Sequence, residues 1–141
     1  MIALRVEAER RIREEGERAF PNECCGFLLG RLDGGEKRVC LVLTVENRWE
    51  PGEQYHRFVM TPEDFLRAEG EARRQKQEIL GIYHSHPDHP AKPSGYDREQ
   101  ALPFYSYVIV SVEGGRAGDL TSWELTNNRV QFLEEEVTIW Q

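Results

Sequence analysis

The stretch Ile79-Leu-Gly-Ile-Tyr-His-Ser-His86, followed by Pro87, is the part of the sequence from which the architecture can be worked out. Its apolar and aromatic residues predict a β-strand. Pro87 ends that strand, because proline has no amide hydrogen to donate to a strand ladder. Since side chains alternate along a strand, we expect His84 and His86 on one face and Ser85 on the other.

Helical and strand patterns follow one another on both sides of this stretch. Thr61 is suited to cap a helix, Pro62 suits its first turn, and Asp64 can reach back to the cap. That helix is predicted to run to about Gln77, and another is predicted over Val6–Ala19. The remaining predicted strands cover residues 25–30, 38–45, 55–60, 107–112, 119–125 and 129–133. Two long helices with six or seven strands predict an α/β fold, with a mixed β-sheet flanked by helices.

The composition predicts one domain over residues 1–141, because this length is usual for a single compact domain. All apolar runs are far shorter than the roughly 20 residues of a membrane span. Three cysteines, two of them adjacent, do not suit a disulfide framework, so we expect a cytoplasmic protein with reduced thiols. The net charge of -7 argues against nucleic acid as a partner, since phosphate binding depends on clustered Lys and Arg.

Three of the four histidines, His84, His86 and His89, lie close together in the sequence. Two imidazoles on one strand face form half of a site for a divalent metal, and zinc prefers such donors in a tetrahedral arrangement. A catalytic zinc site needs a third protein ligand and leaves the fourth position to water. His89 follows the proline that ends the strand, so we expect it in an exposed loop outside the ligand set.

Asp97 is the best candidate for the third ligand, because a proline-punctuated loop can bring it back over the strand end. Ser94 precedes it by three residues, where its hydroxyl could donate to an oxyanion or a bound carbonyl. Ser-x-x-Asp is also the signature of a helix start, and Ser94 can serve in both ways. Two histidines, one carboxylate and an open position match the chemistry of zinc hydrolases.

A metal-bound water also needs a carboxylate that takes its proton. Glu23, in Pro21-Asn-Glu-Cys-Cys-Gly-Phe-Leu-Leu-Gly30, stands where the first helix meets a buried strand. The residue pattern alone does not select Glu23 from the other acidic residues. Cys24 and Cys25 beside it allow two interpretations, a thiol nucleophile or small buried residues before a strand, and the second is the commoner.

The spacing of these residues resembles the motif of the JAMM (MPN+, Mov34/PAD-1) metalloproteases. The matching pattern is His84-x-His86-Pro87, then seven residues counted from that proline through Pro93, then Ser94-x-x-Asp97. Glu23 with the following Cys-Gly-Phe-Leu-Leu-Gly is similar to the family segment that bears the general base. Glu46-Asn47 and residues 55–64 are similar to the middle region of the family. The resemblance therefore covers about residues 1–125.

This resemblance implies a fold similar to that of cytidine deaminases and a zinc-dependent peptidase or isopeptidase activity. By the same resemblance, His84, His86 and Asp97 would bind one zinc ion per chain, with water as the fourth ligand. Glu23 would activate that water, and Ser94 would help to stabilise the tetrahedral intermediate. A true deaminase is not expected, because the sequence lacks the Pro-Cys-x-x-Cys element of that class.

The short chain most resembles the stand-alone prokaryotic branch of the family, whose members hydrolyse bonds at the C-terminal Gly-Gly of ubiquitin-like proteins. We expect hydrolysis of the amide bond after that Gly-Gly, with a sulfur carrier of the ThiS/MoaD type as the partner and cysteine or a peptide as the released group. A broader isopeptidase, similar to desampylases and deubiquitinases, is the alternative within the enzyme class. A non-catalytic MPN scaffold is the alternative outside it. The sequence leaves the substrate and the oligomeric state open.

Overall fold

The computed structural model describes residues 1–141 as eight strands, three α-helices and one 3₁₀ turn at Pro51–Glu53. No helix is both long enough and apolar enough to span a bilayer. The helices are α1 (Val6–Ala19), α2 (Pro62–Arg74) and α3 (Gly95–Gln100). The strands are β1 (Ile2–Arg5), β2 (Cys25–Asp33), β3 (Glu36–Val45), β4 (Glu78–Pro87), β5 (Ser106–Glu113), β6 (Arg116–Leu125), β7 (Phe132–Glu135) and β8 (Val137–Trp140).

All eight strands form one sheet in the order β7-β6-β5-β4-β2-β3-β1-β8. β1 is parallel to both of its neighbours, and β4 is parallel to β5. The other pairs are antiparallel. This is the mixed sheet of an α/β fold that the sequence predicts.

The helices bury opposite faces of the sheet. Along β2, Leu28 packs in one apolar cluster while Phe27 and Leu29 pack in the other, as the two-residue period of a strand requires. Ile12 of α1 belongs to the first cluster and Ala68 of α2 to the second. Because both faces of β2 are covered, its sequence reads as a continuous apolar run instead of an alternating one.

The predicted start of α2 is confirmed. Thr61 Oγ1 accepts a hydrogen bond from the Asp64 backbone amide at 3.1 Å, and the Asp64 carboxylate accepts one from the Thr61 amide at 2.8 Å. The two residues therefore satisfy two amides that the first helical turn leaves free.

The predicted strand at 55–60 is wrong. This segment joins no sheet, because the side chain of Asn47 holds its backbone. Asn47 Nδ2 donates to the Arg57 carbonyl at 2.9 Å, and Asn47 Oδ1 accepts from the Val59 amide at 3.4 Å. The strand predicted at 129–133 begins later, at Phe132, because Arg129 has a positive φ of 62° and belongs to the preceding turn.

Candidate metal centre

The carboxyl end of β4 presents two buried imidazoles next to each other. His84 and His86 are each 1% exposed, and their Nε2 atoms lie 3.1 Å apart. The ring of Phe58 stacks on that of His84, with the ring centres 4.6 Å apart. The two nitrogens therefore share one face of the strand, as the sequence predicts, inside an apolar surround.

Asp97 reaches the same point from the first turn of α3. Its Oδ2 atom lies 3.4 Å from His84 Nε2 and 3.3 Å from His86 Nε2. The same oxygen accepts a hydrogen bond from the Ser94 amide at 2.8 Å, while Ser94 Oγ accepts one from the Asp97 amide at 3.0 Å. This capping box starts α3 and holds the carboxylate toward the histidines.

The three donor atoms fit a zinc ion. Tetrahedral ligands at the usual zinc distances of about 2.0–2.1 Å lie about 3.3–3.4 Å from one another, and the observed separations are 3.1–3.4 Å. His86 Nδ1 bonds to the Pro90 carbonyl at 2.8 Å, which leaves Nε2 free to ligate. The buried Nδ1 of His84 has no partner, so its ring, too, has only Nε2 directed at the group.

The electrostatics of this group favour an ionised Asp97. Burial alone would raise the pKa of the carboxyl, but the charge of His84 and hydrogen bonds from His84, His86 and the Ser94 amide outweigh it. The net effect places the pKa of Asp97 well below its usual range. Two imidazoles and a carboxylate that stays ionised form a donor set suited to a divalent cation.

Glu23 is brought to the histidines by the register between β2 and β4. Cys25 pairs with His84 in antiparallel fashion, so Glu23, two residues earlier, comes opposite His86. The Glu23 side chain is buried, and its backbone is held by the Gln54 carbonyl and the Asn47 amide group. A carboxylate oxygen of Glu23 lies within 4.8 Å of a ring nitrogen of His86.

Burial changes the chemistry of the Glu23 carboxyl. The pKa of Glu23 is raised from 4.5 to about 8, chiefly by burial. The charge of His86 opposes this rise, that of Asp97 adds to it and that of Arg57 opposes it, and the value of about 8 is the net result. A carboxyl with a pKa near neutrality can take up and release a proton under physiological conditions. This is the property that a general base beside a reacting water needs.

His89 lies closer to the site than its loop position suggests. Its ring stacks on that of His86 at 4.1 Å, and its Nδ1 bonds to the Pro87 carbonyl at 2.9 Å. With Glu23 and His86 it forms a second group whose possible ligand atoms lie within 4.8 Å of one another. The two prolines that flank His89 at a short interval are the signal that the chain folds back here.

The cysteines next to Glu23 are unsuited to act as nucleophiles. Both are buried, and burial raises the pKa of Cys24 to about 12 and that of Cys25 still higher. The thiolate, which is the reactive form, is therefore scarce at neutral pH. The geometry favours the interpretation of Cys24 and Cys25 as small buried residues at the start of β2.

Comparisons with known proteins agree with this arrangement. A family model described as prokaryotic homologs of the JAB domain matches residues 5–126. A desampylase of Haloferax volcanii is 34% identical over 121 residues, 84% of this chain and 79% of that protein. A desampylase of Pyrococcus furiosus is 42% identical over 77 residues, 55% of this chain, and the chain spans only 50% of that protein. A probable TtuB-protein conjugate cleaving protease of Thermus thermophilus is 38% identical over 60 residues, 43% of this chain and 40% of that protein.

Solved structures share the fold over the whole chain. A protein of Desulfitobacterium hafniense aligns with a TM-score of 0.87 and 31% identity, covering 100% of this chain and 94% of its own. A JAB1/MPN domain protein of Archaeoglobus fulgidus aligns with a TM-score of 0.62 and 18% identity, covering 99% of each chain. The second likeness is one of fold alone, and it matches the fold expected from the sequence.

Proposed function

The chain belongs to the family of prokaryotic homologs of the JAB domain, and on this premise we propose that it is a zinc-dependent metallopeptidase formed by residues 1–141. Its proposed reaction is hydrolysis of the amide bond after the C-terminal Gly-Gly of a small ubiquitin-like protein. The observation that carries the proposal is the convergence of His84 Nε2, His86 Nε2 and Asp97 Oδ2 beside the buried carboxyl of Glu23. The names of the relatives, desampylases and a probable conjugate cleaving protease, support the substrate class.

In this proposal His84, His86 and Asp97 hold the metal. A zinc ion bound there would supply a Lewis acid that polarises the scissile carbonyl and lowers the pKa of a water molecule. The capping box fixes one carboxylate oxygen of Asp97, and the Pro90 carbonyl fixes the ring of His86. The site is therefore preorganised, because its ligands are held by groups other than the metal.

Glu23 moves the proton. Its buried carboxylate takes one proton from the attacking water and passes it to the leaving nitrogen, so the C–N bond breaks, the acyl carbon gains a hydroxyl group and the nitrogen gains a hydrogen. A pKa of about 8 for Glu23 makes both transfers accessible near neutral pH. No other reactant is needed.

In this proposal Ser94 helps to stabilise the oxyanion. Its Oγ accepts a hydrogen bond from the Asp97 amide at 3.0 Å, so its hydroxyl hydrogen is free to donate. Ser94 is also exposed, three residues before Asp97. A preorganised donor at such a point stabilises the charge that develops on the carbonyl oxygen.

For the substrate, we place sulfur carriers of the ThiS/MoaD type first and conjugates of ubiquitin-like proteins second. The names of the relatives keep conjugates among the candidate substrates, and hydrolysis after Gly-Gly is common to both types. The converging donor atoms disfavour a non-catalytic scaffold, because binding a partner protein does not require an ionised carboxylate held between two buried imidazoles. Other than its substrate, no partner is proposed.

The test combines metal binding with cleavage. Purified protein should retain about one zinc ion per chain after dialysis and should cleave a ThiS-type carrier fused through its Gly-Gly to a short peptide. Glu23→Gln should lower kcat about 10²–10⁴-fold, the usual contribution of a general base, while zinc content stays the same. Glu14→Gln on the exposed face of α1 is the matched control and should have no effect. Full turnover by Glu23→Gln, or protein that binds no zinc, would contradict the proposal.

A further inference from the structure

Arg57 is an unpaired cation beside the candidate metal centre. Its guanidinium lies 4.5 Å from the centre of the Tyr96 ring, and one of its nitrogens donates to the His56 carbonyl at 2.8 Å. Unlike Arg48, which pairs with the carboxylates of Asp64 and Glu46, Arg57 takes part in no salt bridge. In a chain whose net charge is -7, a half-buried arginine without a carboxylate partner is available for one that a ligand brings.

The fold fixes Arg57 close to the general base. The amide group of Asn47 donates both to the Glu23 carbonyl at 3.1 Å and to the Arg57 carbonyl at 2.9 Å. One side chain therefore ties the two backbones together. The two side chains also interact electrostatically: the charge of Arg57 lowers the pKa of Glu23 and so offsets part of the rise that burial causes.

An apolar pocket adjoins this pair, and we refer to it as the side pocket. It has a volume of about 140 Å³, and His84 and Asp97 form its wall toward the metal centre. Its apolar lining comes from Phe58, Met60, Phe65, Ile82 and Tyr107. Tyr96, on which Arg57 rests, lies at the same pocket. An apolar cavity of about 150 Å³ in another protein holds one benzene molecule, so the side pocket has room for one apolar side chain.

We propose that Arg57 and the side pocket together select the leaving group of the reaction, namely a single amino acid with an apolar side chain and a free α-carboxylate. The proposal rests on the proposed function. Because Glu23 returns a proton to the leaving nitrogen, that nitrogen lies next to Glu23, and in an α-amino acid the carboxylate follows after one carbon. Arg57 is the cation placed to meet it, and the side chain enters the side pocket.

The geometry discriminates between two kinds of substrate. Arginine binds a carboxylate through two parallel hydrogen bonds, which is stronger and more directional than a single bond. A lysine joined through its side-chain nitrogen carries its backbone several bonds farther away, where Arg57 does not meet a carboxylate. The inference is therefore that the enzyme prefers a carrier extended by one terminal residue over an isopeptide conjugate.

The experiment compares matched substrates. A ThiS-type carrier extended after its Gly-Gly by one leucine is prepared as the free acid, as the primary amide, with serine in place of leucine, and as an isopeptide with Nε of lysine. The zinc-loaded enzyme should cleave the leucine acid with a kcat/KM roughly tenfold or more above that of the amide, mainly through KM. Arg57→Gln should bring this ratio close to one, and Arg57→Lys should restore part of it.

The control is Arg31→Gln. Arg31 is exposed on β2, six residues from Cys25, or about 20 Å along the strand from the site. It changes the net charge equally and should leave the ratio unchanged. As a readout independent of catalysis, L-leucine should shift the NMR signals of Tyr96 and Phe58, which line the side pocket, in the wild type. L-leucinamide should cause little shift, and so should L-leucine with the Arg57→Gln protein.

The outcomes separate the two proposals. Cleavage of the acid and the amide at equal rates by the wild type, or an acid preference that survives in Arg57→Gln, would overturn the role of Arg57 and leave the hydrolase intact. A preference for the serine over the leucine substrate would overturn the role of the side pocket. If no substrate is cleaved, the proposed function fails. Leucine binding that depends on Arg57 would then still support a recognition site formed by Arg57 and the side pocket. If leucine does not bind either, the recognition site is overturned as well.

Discussion

Glu23→Gln should stabilise the metal-free protein, and the gain should grow with pH. Burial raises the pKa of Glu23 from 4.5 to about 8, so between these values the folded protein holds a proton that the unfolded chain releases. The stability of the wild type therefore falls as pH rises through this window. One pKa unit corresponds to about 1.4 kcal/mol, so the loss reaches about 4 kcal/mol at pH 8. The glutamine amide does not ionise in this pH range and occupies nearly the same space as the carboxyl, so Glu23→Gln lacks this loss of stability.

The assay is urea unfolding at a series of pH values from 5 to 8 in the presence of a chelator. Glu23→Gln should be within about 1 kcal/mol of the wild type at pH 5 and more stable by about 4 kcal/mol at pH 8. Glu14→Gln removes the same charge from the exposed surface of α1 and should follow the wild type at every pH. If the wild type and Glu23→Gln lose stability in parallel, the carboxyl is hydrated and the reasoning about its burial is refuted.

Three further predictions concern the elements around the site. Gly26→Ala would place a Cβ atom 2.4 Å from the Tyr83 ring, so calorimetry should show that the free energy of unfolding falls by several kcal/mol. The control is Gly70→Ala, whose Cβ has open space in α2 and which should raise the free energy of unfolding by up to about 1 kcal/mol. Cys24, whose pKa burial raises to about 12, should resist alkylation at pH 8 until the protein unfolds, and rapid labelling of the native protein, located by peptide mapping, would contradict this. Thr61→Ala should lower the free energy of unfolding by about 1 kcal/mol in urea titrations, and no change would show that the cap of α2 contributes little.

The sequence predicts the placement of His84 and His86 side by side because the relevant geometry is local. The two-residue period of β4 alone places His84 and His86 on one face. The position of Glu23 next to them is a non-local fact, fixed by the pairing of Cys25 with His84. Strand register is not readable from one strand, which is why the residue pattern alone does not select Glu23 and the family resemblance is needed to do so.

The errors in the predicted fold have a similar cause. The sequence predicts no strand where β1 and β8 lie. Each has only four residues, and both are held in the sheet by parallel pairing, of β1 with β8 and of β1 with β3. Parallel partners are distant in sequence, so no local signal marks them. Residues 55–60 show the opposite case: aromatic and branched residues favour extended backbone, but Asn47 takes the hydrogen bonds that a neighbouring strand would otherwise provide.

The pattern Ser94-x-x-Asp97 has two interpretations, and one structure is compatible with both. As a capping box it predicts a helix start, and as part of a motif it predicts a metal ligand. In the fold a single oxygen, Asp97 Oδ2, accepts the Ser94 amide and faces both histidine Nε2 atoms. The three-residue spacing is therefore set by the geometry of a helix N-terminus, which requires this carboxylate to bend back toward the cap. Because the cap lies over the end of β4, the same bend that starts α3 directs the Asp97 carboxylate at the histidines. If Asp97 is the third metal ligand, as we propose, the helix start holds it in place before any metal binds.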